Sequence, residues 1–301
     1  MTSGKMHADE VDIDAALVGQ LVAAQVPQWA DLPLSRVASA GTDHALYRLG
    51  DAMVVRLPRI ANVTGQLEKE QRWLPYLAPN LPLKIPVPLA KGEPGFGYPF
   101  DWSVYTWLDG ENATRDRLRN PAQSARDLAG FICALQQIDN SGGPSPGAHN
   151  FGRGELLANR DAGTRKNIHA LRDEYDANRL TSIWEAAHNA PAHSLAPVWI
   201  HGDLQSGNLL CAGGQLHAVI DFGGLGVGDP AVDLIVAWNL FAATERSAFR
   251  KALAIDDAVW LRGRGWALTT AVTALPYYRQ TNPVLAGIAR HTLAQLLTDT
   301  G

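Results

Sequence analysis

The chain has 301 residues, 46% of them hydrophobic and 19% charged, with a formal net charge of −4. That is ordinary globular composition, with enough material for one large domain or two modest lobes. The charge divides evenly about Leu108 and no polybasic run occurs, so neither nucleic acid nor a membrane is an expected partner.

The only cysteines, Cys133 and Cys211, stand far apart in apolar surroundings, which argues against a disulfide framework or a zinc site and fits a reducing cytoplasm. The stretch MTSGKMHADE has no apolar signal core, and no run approaches membrane-spanning length. A cytoplasmic protein is expected; its oligomeric state is left open.

In chain order, VDIDAALVGQLVAAQ (11–25) has helical spacing, and LSRVASAG, HALYRLG and AMVVRLP (34–58) are short β-rich runs that predict a three-stranded antiparallel meander. The run 62–78 places Leu67, Leu74 and Leu77 on a helical period. A proline-rich connector with room for one strand follows, then FDWSVYTWL (100–108) reads as a buried strand. Beyond it the character turns helical: Asn120 and Pro121 open a helix over 120–139, SGGPSPGAHNFG is a loop, and GTRKNIHALRDEYDANRLTSIWEAAH is mostly helix. From Asp229 onward helix is again expected, with Asp229 as N-cap before Pro230 and Asp233 as a structural residue inside that helix. The predicted class is α+β: a small antiparallel β-rich N-terminal lobe over 1–108, a crossing segment near 105–111, and a larger mainly helical C-terminal lobe over 109–301.

The informative stretch is VWIHGDLQSGNLLCAGGQLHAVIDFGG, residues 198–224. VWI and HAVID are β-type runs, with LLCAGGQL making a hairpin around Gly213-Gly214. Asp203 ends the first run, Asn208 starts the second and Asp221 ends the third. Strands side by side would bring all three side chains to one edge. Asn208 and Asp221 are hard oxygen ligands suited to Mg²⁺, which takes one or two protein oxygens and fills its shell with phosphates and water. Asp203, five residues before Asn208, suits a base that accepts a proton from an attacking hydroxyl. Any one of the three alone would read as a turn residue; together, between His-Gly-Asp and Phe-Gly-Gly, they read as a site.

HGDLQSGN followed by IDFGG resembles the aminoglycoside phosphotransferase family, the small-molecule branch of the protein-kinase-like fold, and the order of elements resembles it over nearly the whole chain. The resemblance implies a bilobal kinase-like fold, Asp203 as catalytic base, and Asn208 and Asp221 as Mg²⁺ ligands. It implies a phosphotransferase that moves the γ-phosphoryl of ATP or GTP to a hydroxyl of an aminoglycoside-like antibiotic or related natural product, a resistance activity. In this setting Ser39, Gly41 and Thr42, between the first two strands, are expected at the phosphates. Arg56 stands where kinases carry a lysine, a departure that keeps a phosphate grip with a different geometry. Glu70 would pair with it, rather than Glu68, which points elsewhere on the helix. Thr106, Trp107 and Leu108 match the family's hinge, where backbone atoms would read a nucleobase.

GVGDPAVDL follows Asp221 almost at once, which leaves no protein-kinase activation segment and disfavours a protein substrate. Residues 245–301 hold four acids against seven bases, a balance that does not favour a polycation. The acidic candidates for one are Asp173, Glu174 and Asp176. Trp260, Trp266, Tyr277 and Tyr278 could wall a pocket, Trp266 and Tyr277 being the substrate-binding candidates, though core packing serves them equally well. The alternatives are a macrolide kinase, a metabolite kinase acting on a choline-, sugar- or homoserine-like alcohol, and a nucleotide-binding pseudokinase.

Overall fold

The computed structural model describes residues 10–39, 41, 43–61 and 64–299. The chain forms two compact units, one of Met1–Pro79 with Lys84–Asp109 and the other of Asn80–Leu83 with Gly110–Gly301.

In the first unit, α1 (Ala15–Gln25) starts at Asp14, whose side chain accepts the Leu17 N–H at 2.8 Å. The strands are β1 (Leu34–Arg36), β2 (His44–Leu49), β3 (Met53–Pro58), β4 (Pro88–Gly92) and β5 (Trp102–Thr106), all antiparallel, in the order β1-β2-β3-β5-β4. The meander over β1 to β3 is as expected, and the connector strand is β4. It lies at the sheet edge, because β5 inserts between β3 and β4. The two-residue period sends Ala45, Tyr47, Leu49, Val55, Leu57, Trp102 and Val104 into one core with Val18, Leu21 and Val22 of α1. The alternate positions, Arg56, Ser103 and Tyr105, face the other way. There they meet α2 (Thr64–Leu77), whose Gln71 amide donates to Ser103 Oγ at 2.9 Å. Leu67, Leu74 and Leu77 are buried, as their spacing predicts.

The second unit is mainly helical: α3 (Pro121–Gln137), α4 (Asp161–Ala170), α5 (Ala177–His188), α6 (Val236–Asn239), α7 (Ala243–Leu253), α8 (Asp257–Tyr278) and α9 (Pro283–Thr298). Asn120 caps α3 by accepting the Gln123 N–H at 3.0 Å. Helix α8 is buried over most of its length, including Trp266, Leu268 and Val272, and packs against α4, α5 and α9. Two small sheets complete the unit. One joins β6 (Glu111–Asn112), β8 (Leu209–Ala212) and β9 (Gln215–Val219); the other pairs β7 (Val198–Ile200) with β10 (Gly226–Gly228).

This corrects the expectation that the three strands of 198–224 lie side by side. β7 pairs with β10 instead of β8, so Asp203 leaves a different sheet from the one that carries Asn208 and Asp221. No helix among the described residues is long and apolar enough to cross a membrane.

Candidate active site

After β7 the chain must reverse sharply, and Gly202 allows it. Its φ is +79°, and a Cβ there would lie 2.2 Å from the Gly224 carbonyl oxygen, so neither the torsion nor the space admits a side chain. The turn is held from beneath by Asp233, which is fully buried. Its Oδ2 accepts the His201 N–H at 2.8 Å and its Oδ1 the Gly202 N–H at 2.7 Å. Burial pushes the Asp233 carboxyl up, while these two N–H groups and His201 pull it down. Asp233 sits in a 3-10 turn, Pro230–Ile235, opened by Asp229, which accepts the Ala231 N–H at 3.0 Å and pairs with Arg262 at 2.8 Å.

His201 joins the two strand systems. Its Nδ1 accepts the Asp203 N–H at 3.2 Å, which leaves the proton on Nε2 to donate to the Ile220 carbonyl at 3.0 Å. The Ile220 N–H donates in turn to the Asn208 carbonyl at 2.9 Å. The residue before Asp221 is therefore tied both to the Asp203 turn and to Asn208, across two sheets. The His201 ring packs on Phe222, with centroids 4.6 Å apart.

Asp203 presents two different oxygens. Oδ2 accepts from Gln205 Nε2 and Asn208 Nδ2, both at 3.0 Å, and Asn208 Nδ2 also donates to the Asp203 carbonyl at 2.8 Å. Oδ1 faces the Arg153 guanidinium at 3.5 Å. The amide oxygen of Asn208 accepts no hydrogen bond among the described residues, although the residue is buried. Asp221 is exposed and sits in the left-handed region, φ 63° and ψ 73°, a strained conformation for a non-glycine residue that tends to mark functional positions. One carboxylate and one uncommitted amide oxygen match the small protein share of a Mg²⁺ shell. Among the described residues no cluster of three His, Cys, Asp or Glu side chains could hold a metal unaided.

In the first unit Arg56 Nη1 donates to both Glu70 oxygens, at 2.7 and 2.8 Å. Glu70 is buried and also accepts the Tyr105 O–H at 2.5 Å. Burial and the adjacent carboxylate hold the Tyr105 phenol well above its ordinary value. Arg56 Nη2 lies 3.4 Å from His44 Nδ1, and burial with Arg56 and Arg59 pushes that imidazole well below the usual histidine range. Glu68 points away, 4.0 Å from Lys91.

Of the three residues expected at a hinge, two already spend their N–H groups inside the first unit. The Thr106 N–H donates to Val87 and the Trp107 N–H to Ala52, which leaves Leu108 as the one of the three whose N–H is not engaged among the described residues. Ser39 Oγ accepts the Gly41 N–H at 3.0 Å in a local turn, and Thr42 lies outside the described residues.

The substrate candidates scatter. Asp176 caps α5, accepting the Arg179 N–H at 3.0 Å. Glu174 pairs with Arg279 at 2.7 Å, and Asp173 is exposed 3.9 Å from Arg172. Trp266 is a core residue of α8, whereas Tyr277 is exposed at the end of that helix. Sequence reasoning missed Arg153, Gln205 and the role of Asp233 toward the turn. Only Gln205, inside HGDLQSGN, carried a local signal.

The family model described as APH, Phosphotransferase enzyme family, matches residues 35–267. Among solved structures, the GDP and kanamycin complex of APH(2")-IIIa superposes with a TM-score of 0.72 at 18% identity, covering 95% of this chain and 99% of that one. The streptomycin–ATP ternary complex of APH(2")-IIa gives 0.60 at 19%, covering 96% and 97%. Macrolide 2'-phosphotransferase MphH from Brachybacterium faecium gives 0.59 at 21%, covering 96% and 99%. No curated protein matches the chain.

Proposed function

We propose, for a chain that belongs to the phosphotransferase enzyme family and is a small-molecule phosphotransferase of kinase-like fold, that it moves the γ-phosphoryl of ATP or GTP to an alcohol, with Asp203 as the base. The observation that carries this reading is the setting of Asp203. One carboxylate oxygen is fixed by two amide donors and the other is left toward Arg153, on a backbone pinned by Asp233. A carboxylate so oriented can align an acceptor hydroxyl and take its proton as the oxygen attacks phosphorus.

Asn208 Oδ1 and Asp221 are the residues that would hold Mg²⁺. Bound there, the ion would supply charge neutralisation on the transferring phosphates. Arg56, oriented by Glu70 and Tyr105, would hold donor phosphates, and the Leu108 N–H would meet the nucleobase. Solved relatives with GDP, ADP and ATP support a nucleotide donor without choosing one. A cytoplasmic location and a role in antibiotic resistance belong to the same reading.

The test is acceptor-dependent release of ADP or GDP across aminoglycosides, macrolides, polyols and hydroxy acids, with and without Mg²⁺. Asp203→Ala should lower turnover by about 10²- to 10⁴-fold while nucleotide-induced stabilisation persists. Wild-type-like transfer by that variant would refute the assigned role, and nucleotide binding without transfer to any acceptor would favour a pseudokinase.

A further inference from the structure

Since Asp203 Oδ2 is committed to Gln205 and Asn208, a hydroxyl that surrenders its proton to this carboxylate meets Oδ1, and meets Arg153 with it. The Nη2–Oδ1 separation of 3.5 Å is an ion-pair distance, too long for a good hydrogen bond. Among the described residues the only other polar contact of the guanidinium is Nη1 to Thr270 Oγ1 on α8, at 3.3 Å. Five N–H donors therefore serve two long contacts, and the side chain keeps 20% exposure beside 28% for Asp203.

The position of Arg153 is built. Its carbonyl accepts from Asn150 Nδ2 at 3.0 Å, and that fully buried side chain also accepts the Gly147 N–H at 3.0 Å and reaches the Gly224 carbonyl at 3.4 Å. The loop that carries Arg153 is thus stapled to the segment that packs on Gly202.

The carboxylate closest to Arg153 in the chain is already paired. Glu155 pairs with Arg160 at 3.6 Å, and Arg160 lies over the Trp266 ring, 5.3 Å from its centroid. An ammonium group on the Oδ1 side of Asp203 would meet the Arg153 guanidinium.

We propose that Arg153 determines acceptor specificity: its guanidinium donates to an oxygen adjacent to the phosphorylated hydroxyl, and the acceptor is an uncharged or anionic polyhydroxylated molecule, not a polycation. This rests on the phosphotransferase reading above. In the step itself the acceptor O–H proton passes to Asp203 Oδ1, and the acceptor oxygen forms the new bond to the γ-phosphorus of the nucleoside triphosphate. The bond to the nucleoside diphosphate breaks with its electron pair on the diphosphate. Arg153 takes no proton; it favours oxygen neighbours and repels cationic ones.

The experiment measures acceptor-dependent release of nucleoside diphosphate from ATP and GTP by the full chain, Arg153→Gln and Arg153→Lys. Neutral polyols (myo-inositol, glucose) and hydroxy acids (gluconate) serve as one probe class and kanamycin as the polycation. Melting and nucleotide binding of each variant report folding. The wild type should prefer the oxygen-rich probes. Arg153→Gln should lower their kcat/KM by about 10- to 100-fold without lowering that of kanamycin, and Arg153→Lys should restore part of the loss.

Kanamycin as the preferred wild-type acceptor overturns the proposal, as does an unchanged probe ratio in Arg153→Gln. Should Arg153→Gln fail to fold, an unchanged ratio in Arg153→Lys, which lacks the planar fork, is equally fatal. Release that no acceptor raises and that Asp203→Ala does not alter has a different signature: it sinks the phosphotransferase reading, and this inference with it.

Discussion

Glu70 in the first unit and Asp203 in the second are both fixed carboxylates, but they are fixed by opposite means. Glu70 is buried and neutralised directly by Arg56, with Tyr105 filling a remaining lone pair. Asp203 is partly exposed, its Oδ2 held by two neutral amides, while the nearest cation stands off at 3.5 Å from Oδ1. A carboxylate clamped in an ion pair is a poor base but a rigid rest for an arginine. One held by amides keeps a lone pair for a proton. The first arrangement suits a positioning role, and the second is the one proposed above to react.

The largest effect is expected for Glu70→Gln. It keeps the shape but leaves Arg56 without its counter-charge at a site where Glu70 is 2% exposed and Arg56 15%. Removing one partner of a buried pair should cost about 3 kcal/mol, read by denaturant unfolding, and should raise the KM for nucleotide more than it lowers kcat. A loss confined to kcat would place Glu70 in the reacting cluster instead.

Asp233→Asn is next. Its amide can accept only one of the two N–H groups that now converge on the carboxylate, so a buried donor is left unpaired. The cost should be about 1–3 kcal/mol, and kcat should fall because Asp203 loses its fixed turn. Unchanged kcat with lowered stability would confine Asp233 to a folding role.

A smaller effect of similar origin is expected for Gly202→Ala. With φ at +79° and the Gly224 oxygen 2.2 Å from the new Cβ, the turn must shift, at a cost of roughly 1–2 kcal/mol. The reading fails if melting and turnover are both unaltered.

The smallest effect is a pH dependence to which His44 of the first unit contributes. Burial, and then Arg56 and Arg59, depress the His44 pKa in the folded chain, so protonation favours unfolding. The corresponding stability is present above the ordinary histidine value of 6.5 and is lost as pH falls below it. Unfolding followed from pH 7 to pH 5 should show this slope, and His44→Gln should reduce it, the remainder coming from His291, which burial and Arg246 also depress. An identical slope in the variant would assign the titration to another group.

Much of the site was legible because it is local. The His-Gly-Asp turn, the five-residue step to Asn208 and the run ending at Asp221 lie within one stretch of 198–224, and the His201 and Asn208 side chains of that same stretch tie them together across two sheets. Arg56 and Glu70 were legible through the family resemblance, which supplied their positions, while the helical period served only to set Glu68 aside.

What the amino-acid order settled by itself was therefore the set of elements, a β-rich first part and a helical second part, together with the family they resemble. Tertiary structure alone decided that β7 pairs with β10, since short apolar runs carry no address and choose partners by which faces become buried together. It alone brought Asp233 under the turn, and Arg153, fifty residues upstream, beside Asp203. Such long-range placements depend on charges and donors meeting inside a packed unit, and no local pattern encodes them.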